Sequence, residues 1–317
     1  MKIRYCFILF LLTGLTQQSL YSQCCGAGSP VAGDADQKGM RKKSWKIFGF
    51  YKHSFSDTYY KGSEKIKLPD AAGVIKTSNY NYVELNAIYG ITNRLSVHGN
   101  TGYYTNKSVN YGNNIIGVQS GSGLSDASLI LKYTVYNKPS KKFDITPALG
   151  MKFPVGVFDQ QKNGILLPIS VQPSSGSYKY IGNLIIFKGI MKGKIGLLSF
   201  NSVEVATNIY SEYFKNFKYG NLYLNALYIT YFFKGKYAAI FQIRNECRAK
   251  ETESGVKNDY SGGDVLIFSP AFNYKFFTSF NATATFEMPV YRNYNGVQMG
   301  NKFCFSLRIS KDFGMCK

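Results

Sequence analysis

Long apolar runs are missing from this chain of 317 residues. A membrane-spanning helix needs about 20 consecutive apolar residues. The two most apolar segments, Ile181–Ile190 and Leu222–Phe233, are shorter than that and carry polar residues. The sequence therefore argues against a bundle of membrane-spanning helices, and any route through a membrane must be built from strands.

Histidine is scarce too, with only His53 and His98 in the sequence. Histidine is the side chain that titrates near neutral pH without tuning, and neither of these two lies in a lipase-like motif. The sequence also holds no phosphate-binding or dinucleotide-binding glycine loop in the strand–helix setting that such loops require. We therefore expect a protein that is not an enzyme and that uses no cofactor.

Carboxylate side chains are also few. The chain has 18 Asp and Glu residues against 38 Lys and Arg residues, so its formal net charge is +20. Nucleic acid is not the expected partner, because no recognition motif is present and the N-terminus predicts export. An exported basic surface favours contact with lipopolysaccharide phosphates, or a pore that prefers anions. Outer-membrane lipid, lipopolysaccharide and a small-molecule solute are the expected partners, and the oligomeric state stays open.

A secretory signal pattern is present at the N-terminus. Lys2 and Arg4 give the positive start, Cys6–Leu15 form a short apolar core, and Ser22 is a small residue suited to cleavage. About ten apolar residues are too few for a membrane anchor helix. Residues 1–22 are therefore predicted to be a signal peptide that exports the rest of the chain.

Beyond the N-terminal region the side chains alternate between two faces. In residues 123–136, Leu129 and Leu131 fall on one side of a strand, and Asp126 and Lys132 fall on the other. This is the period of two that a half-exposed strand shows. The same pattern recurs about twelve times. The predicted strands are Trp45–Tyr60, Asn79–Gly90, Arg94–Val109, Leu124–Asn137, Phe143–Pro154, Ser177–Ile190, Lys194–Tyr210, Lys218–Phe233, Lys236–Ala249, Asp264–Phe277, Phe280–Tyr291 and Lys302–Phe313.

The connections between these strands alternate in length. Short turns such as 91–93 and 234–235 are followed by longer links such as 110–123 and 155–176. Outer-membrane barrels have short periplasmic turns and longer outer loops. The sequence therefore predicts an all-β protein, a transmembrane antiparallel up-and-down β-barrel of about 12 strands. Residues 44–317 form this barrel in the outer membrane, with both chain ends in the periplasm.

Charged residues collect on the face opposite the apolar one, which would be the barrel lumen. One interpretation is a charged pore wall that selects solutes. The other is a network of ion pairs that fills a narrow barrel, because interior charges must pair. The strand patterns show no apolar patch in the lumen, which disfavours a route for greasy solutes. The candidate lumen residues are Glu84, Asp126, Lys132, Asp144, Lys152, Glu204, Arg244, Glu246, Glu287 and Arg308.

Three cysteines lie near the two predicted periplasmic ends. Cys24 and Cys25 begin a segment, residues 23–43, whose Gly, Ala and Asp content predicts a periplasmic leader or a small plug. Lipidation of Cys24 stays open, although Gln23 replaces the small residue expected before a lipidated cysteine. Cys316 falls on the same side, so the three cysteines predict a disulfide or a soft-metal site.

The C-terminal third carries the most specific motifs. Gly262-Gly263-Asp264 precedes Ser269-Pro270, and Pro289-Val-Tyr291-Arg-Asn293 precedes Gly296-Val-Gln298. With Gly123-Leu-Ser-Asp126, these segments resemble the outer-membrane barrels named for the meta-pathway of phenol degradation. The resemblance spans residues 123–313. It implies a barrel of that family, which is commonly labelled as transporters.

The expected function is passage of small solutes through an outer-membrane barrel, as in a transporter or a porin-like channel. The alternative is a closed structural or binding barrel without transport. The loop Val155–Gly176 discriminates between them, because it is apolar at Val157, Phe158 and Ile165–Leu167 and is suited to fold into the lumen or gate it.

Overall fold

The computed structural model describes residues 40–69, 71, 73–112, 115–214, 216–277 and 279–314. Within this part of the chain, twelve antiparallel strands close into one barrel, which confirms the predicted fold class. The barrel strands are β1 Trp45–Ser56, β2 Thr77–Gly90, β3 Leu95–Asn110, β4 Val118–Tyr133, β5 Phe143–Phe153, β6 Lys179–Ile190, β7 Ile195–Ala206, β8 Leu222–Phe233, β9 Tyr237–Arg248, β10 Gly263–Lys275, β11 Phe280–Gly300 and β12 Phe303–Phe313.

Each strand pairs with its neighbours in sequence, and the first strand pairs with the last. Trp45 at the start of β1 lies opposite Phe313 of β12 on one side and opposite Tyr89 of β2 on the other. This closure leaves no free sheet edge, which is the condition for a sheet to stand in lipid. No helix among the described residues is long and apolar enough to cross a membrane.

The two faces of the strands differ as the alternation predicts. In β4, Leu129 and Leu131 are half exposed, whereas Lys132 between Leu131 and Tyr133 is buried. Ile130, the misfit of the pattern, is 2% exposed and lies on the inner face. An outer face of exposed Leu, Ile and Phe is the surface that a barrel presents to lipid.

Aromatic residues flank this apolar outer surface at both ends. Trp45, Tyr231 and Phe277 are exposed at the end that carries the short turns, called here the inner end. Tyr180 and Tyr223 are exposed at the opposite, outer end. Paired aromatic girdles mark the two interfaces of a membrane. The short turns place the inner end on the periplasmic side by the same rule.

The turns at the inner end are short, except that β4 ends at Tyr133 rather than at the predicted Asn137, so residues 134–142 separate it from β5. Between β8 and β9, Lys234 and Gly235 both have positive φ, 49° and 65°. Three residues, 234–236, separate the paired Phe233 and Tyr237, and glycine adopts positive φ without a steric penalty. This chemistry fixes the β8–β9 register.

The outer end departs from the predicted boundaries. Strand β11 continues to Gly300 rather than ending near Tyr291, and its last residues pair with a short strand, Thr58–Gly62, that extends beyond β1. Strand β4 starts at Val118 rather than at Leu124. These extensions lie beyond the apolar belt, so neither face must be apolar and the alternation that marks a strand disappears.

Candidate functional site in the barrel lumen

A buried ionic cluster occupies the inner face of β1, β9 and β11. The Glu287 carboxylate lies 3.1 Å from Lys52 Nζ and 3.1 Å from Arg244 Nη2. Arg244 also reaches Glu246, with Nε 2.8 Å from Oε1. Lys52, Arg244 and Glu287 are each at most 3% exposed. One carboxylate therefore compensates two cations from different strands, as buried charges require.

A second cluster lies where β5 ends and β6 begins, toward the outer end. Glu204 on β7 is 2.9 Å from Lys152 Nζ and 3.3 Å from Lys179 Nζ. These three side chains retain between 12% and 16% exposure. The outer part of the lumen is therefore more open to solvent than the level of Glu287.

Glu84 is held by neutral donors instead of cations. Tyr82 donates its hydroxyl to Glu84 over 2.8 Å, and Asn86 donates its amide over 2.7 Å. Asn100 of β3 adds a longer hydrogen bond of 3.4 Å. The carboxylate is thus fixed against the inner wall, near the middle of β2.

Asp126 joins the wall to the long loop between β5 and β6. The backbone N–H of Ser175 donates to Oδ1 over 2.9 Å, and the hydroxyls of Ser174 and Ser175 donate over 2.6 Å each. A carboxylate that accepts three local donors is a rigid anchor. The loop is therefore attached to β4 at its second stem.

The body of this loop, residues 154–178, lies across the outer end of the barrel. Val171 is fully buried in a cluster with Val109 and Met299. Ile169 belongs to a different cluster, with Phe217 of the β7–β8 connection. Because the two clusters lie on different sides of the barrel mouth, the loop spans it. Lys107 Nζ adds a hydrogen bond of 2.8 Å to the Gln172 carbonyl.

The apolar residues expected to fold inward divide between two environments. Leu167 is 3% exposed, and Phe158 packs against Phe214 with 5.5 Å between ring centroids. Val157 and Ile165 are exposed, and Ile165 lies at the tip of the loop's own hairpin. The part of the loop that enters the mouth is therefore centred on 167–173, later than the sequence suggested.

The other candidate lumen residues lie away from these clusters. Lys132 is buried on the inner face of β4, and Arg308 is buried on β12 with its guanidinium 4.2 Å from the Phe48 ring centroid. Asp144 lies near the inner end, where Asn137 donates a hydrogen bond to it. The structure thus places the ten candidates at several levels of the barrel rather than in one ring.

Two partners of these clusters were missed by the sequence analysis. Lys52 shares its face of β1 with Phe50 and Ser54, so its inward position was readable from the period of two. Lys179 is the first residue of β6 and carries no alternation of its own before it. Its contact with Glu204 follows only from the fold, which places β6 between β5, the strand of Lys152, and β7, the strand of Glu204.

An apolar patch on the inner wall corrects one expectation. The strand patterns showed no such patch, yet one covers the inner face of β6 to β9. Its core residues are Ile185, Phe187, Leu198, Phe200, Leu224, Ala226, Tyr228 and Ile240. β6 and β8 are apolar on both faces, so their alternation is too weak to assign an inner face. On these strands the inner face is therefore apolar toward the inner end and charged toward the outer end, where Lys179, Glu204 and Arg244 lie.

The cysteines of the predicted disulfide or metal site and the two histidines lie in different parts of the chain. Cys24, Cys25 and Cys316 lie outside the described residues, where the disulfide and metal hypotheses remain predictions. Inside the described part, no group of His, Cys, Asp and Glu has the arrangement of a metal site. His98 Nε2 is hydrogen bonded to Asn86 Oδ1 at 3.0 Å, and His53 lies near Asn81.

Comparison with known proteins identifies the fold. No protein-family model matches the sequence, and no curated protein matches it. The chain is similar in structure to an outer membrane channel from Pseudomonas putida F1, with 14% identity, 88% of this chain and 98% of that chain covered, and a TM-score of 0.70. It is also similar to the beta domain of the Bordetella autotransporter BrkA, with 8% identity, 86% and 100% covered, and a TM-score of 0.50. The fold is thus that of the outer-membrane β-barrels.

Proposed function

We propose that this protein is an outer-membrane channel for small solutes. The observation that carries the proposal is the divided inner wall, with ionisable side chains around Glu204 and Glu287 on one part and the apolar patch on the other. A wall of this kind suits amphipathic solutes, which carry a polar group and an apolar body. The structural likeness to an outer membrane channel supports the same function.

We also propose that the chain is related to one particular family of outer-membrane barrels. The motifs around Pro270 and Pro289 suggest the barrels named for the meta-pathway of phenol degradation. Both prolines lie in strands of the barrel wall, at places where the β10–β11 ladder is irregular. Pro270 lacks the N–H that a ladder needs. The proposed role involves no catalysis.

A closed structural or binding barrel is the second candidate. The observation in its favour is the near-complete burial of inner-face residues, such as Lys52, Phe200 and Glu287, at 1% to 2% exposure. The loop 154–178 adds a cover over the outer mouth. A channel with this structure conducts only when the loop or the inner side chains move.

Planar-bilayer recording separates the two candidates. The chain with residues 158–173 replaced by a short Gly/Ser linker should conduct more than the full chain, because the segment that crosses the mouth is gone. Liposome swelling with charged, neutral and aromatic solutes then defines the selectivity. The absence of conductance from both proteins, each shown to be folded, would reject the channel and support the closed barrel.

The expectations for the chain ends are carried forward as proposals. Residues 1–22 are proposed as the signal peptide, residues 23–43 as a leader or small plug, and residues 44–317 as the barrel. Alkylation mass spectrometry with and without reductant tests the bridge between Cys316 and Cys24 or Cys25. Free thiols throughout would reject it.

Contact with lipopolysaccharide is proposed for the exposed lysines of the outer loops, such as Lys65.

A further inference from the structure

The excess of cations over carboxylates among the described residues is concentrated at the inner end of the barrel. Each of the five short turns contains or adjoins a lysine or arginine, and Arg41, Lys42 and Lys43 precede β1. The only carboxylates of this end among the described residues are Asp144 and Asp312. The outer loops instead mix lysines with several carboxylates. Those carboxylates include Asp57, Glu64, Asp159, Glu212, Glu253 and Asp259.

The pairing of charges differs in the same way. At the outer end, Lys302 is 2.6 Å from Asp57, and Lys250 is 2.5 Å from Asp259. At the inner end, Asp312 lies 3.6 Å from Lys46, which is a buried residue rather than one of the turn residues. The exposed cations of the turns therefore greatly outnumber the carboxylates near them.

These cations surround the barrel. Strand order around the barrel follows chain order, so successive turns occupy successive positions on its circumference. One cation from each connection, together with one from β12, defines what we call the basic rim. The basic rim consists of Arg94, Lys142, Lys194, Lys236, Lys275 and Lys311. All of these are exposed except Lys311, which is partly buried.

The basic rim lies next to the inner aromatic girdle. Lys311 Nζ is 4.8 Å from the ring centroid of Phe280 and 4.6 Å from that of Phe313. Lys275 lies two residues before Phe277, which is exposed at the same end. Girdle aromatics lie at the level of lipid headgroups, and a lysine stem beside them carries its ammonium to the same level. The rim is therefore at the depth of the phosphates.

We propose that the basic rim binds the phosphate groups of anionic phospholipids in the periplasmic leaflet. A ring of cations that encloses the barrel matches a partner that also encloses it, which is a lipid leaflet. A protein partner would dock on one side and would require a local patch. The proposal places the main basic surface at the end opposite to the one expected to meet lipopolysaccharide.

The test uses the full mature protein in nanodiscs that contain equal amounts of phosphatidylglycerol and phosphatidylcholine. Native mass spectrometry counts the lipids that stay bound on release. We expect phosphatidylglycerol to be enriched about tenfold, since each cation near an anionic surface adds to the attraction. The enrichment should fall as salt rises, because salt screens exposed charges.

The rim variant changes all six rim residues to glutamine, and the matched control changes six outer lysines, Lys61, Lys65, Lys67, Lys162, Lys218 and Lys257, to glutamine. Heat-modifiable migration on a gel verifies that both barrels are closed. Loss of the enrichment in the rim variant alone supports the proposal. Equal retention in the rim variant and the unaltered protein, or equal loss in both variants, would overturn it.

Discussion

Ser175 donates its backbone N–H to Asp126 over 2.9 Å, and this contact attaches the loop over the barrel mouth to the barrel wall. The same carboxylate also accepts the hydroxyls of Ser174 and Ser175. Three donors on one acceptor hold the second stem of the loop in one position. The apolar contacts of Leu167 and Val171 then hold its middle.

We expect Asp126→Ala to loosen this loop and to raise the open probability of the channel. The substitution removes the acceptor and leaves three donors to be satisfied by water. Single-channel recording of the variant should show longer or more frequent openings than the unaltered protein. Asp144→Ala, at the opposite end of the lumen, is the matched control. Identical gating in the two variants would contradict the role of Asp126 as an anchor.

Glu287→Gln should lower the free energy of unfolding by roughly 3–5 kcal/mol, because it leaves Lys52 and Arg244 without their buried carboxylate. Urea unfolding of the protein in phospholipid vesicles measures the loss. Glu253→Gln, in an exposed hairpin of the outer loops, should change stability little.

The double variant Lys52→Met with Glu287→Leu should recover part of that loss. It removes one cation with the carboxylate, and Arg244 retains its contact with Glu246. Replacing a buried ion pair by apolar side chains is often neutral. A double variant as unstable as Glu287→Gln would show that packing, rather than unpaired charge, causes the destabilisation.

The sequence predicts the wall of this barrel well, because alternation is a local property. In β12, Phe305, Leu307 and Ile309 are exposed, and Ser306 and Arg308 between them are buried. Each turn is also local, since its residues set its backbone. Strand number, order and outer face could therefore be derived from the sequence before any contact was known.

The interior could not be derived in the same way. Lys52 and Glu287 are 235 positions apart, and only the closed barrel brings them within hydrogen-bond distance. Leu184 and Ile185 are both apolar, so their alternation does not show that Ile185 is the one that faces the lumen. The interior depends on which strands lie opposite one another across the lumen and on how a loop fills the mouth. The alternation of side chains along a strand gives no information about either.

Acid should release the outer ion pair between Asp57 and Lys302. Burial opposes ionisation of Asp57, but the hydrogen bonds from Lys302 and Thr58 outweigh it and hold the pKa of Asp57 below its ordinary value of 3.8. A carboxyl with a lowered pKa in the folded state contributes stability above the unfolded pKa, and this contribution is lost as pH falls through the folded pKa.

Carbon-13 NMR of the aspartate carboxyls in micelles measures this titration. In Lys302→Gln the midpoint of Asp57 should rise toward 3.8, while Asp259, which pairs with Lys250, should keep its own lowered pKa. The stability change should stay below about 1 kcal/mol, because the pair is partly exposed. An unchanged Asp57 midpoint in the variant would show that Lys302 does not stabilise the carboxylate.

Lysine substitutions on the outer face distinguish lipid contact from water contact. Leu227 on β8 is 58% exposed and Val256 in an outer loop is 71% exposed, so both would tolerate lysine if water surrounded them. Leu227 lies in the middle of its strand, where a lysine in lipid costs roughly 2–4 kcal/mol. Leu227→Lys should therefore lower the urea midpoint in vesicles clearly, and Val256→Lys should leave it unchanged. Equal midpoints for the two variants would mean that the exposed apolar belt does not face lipid.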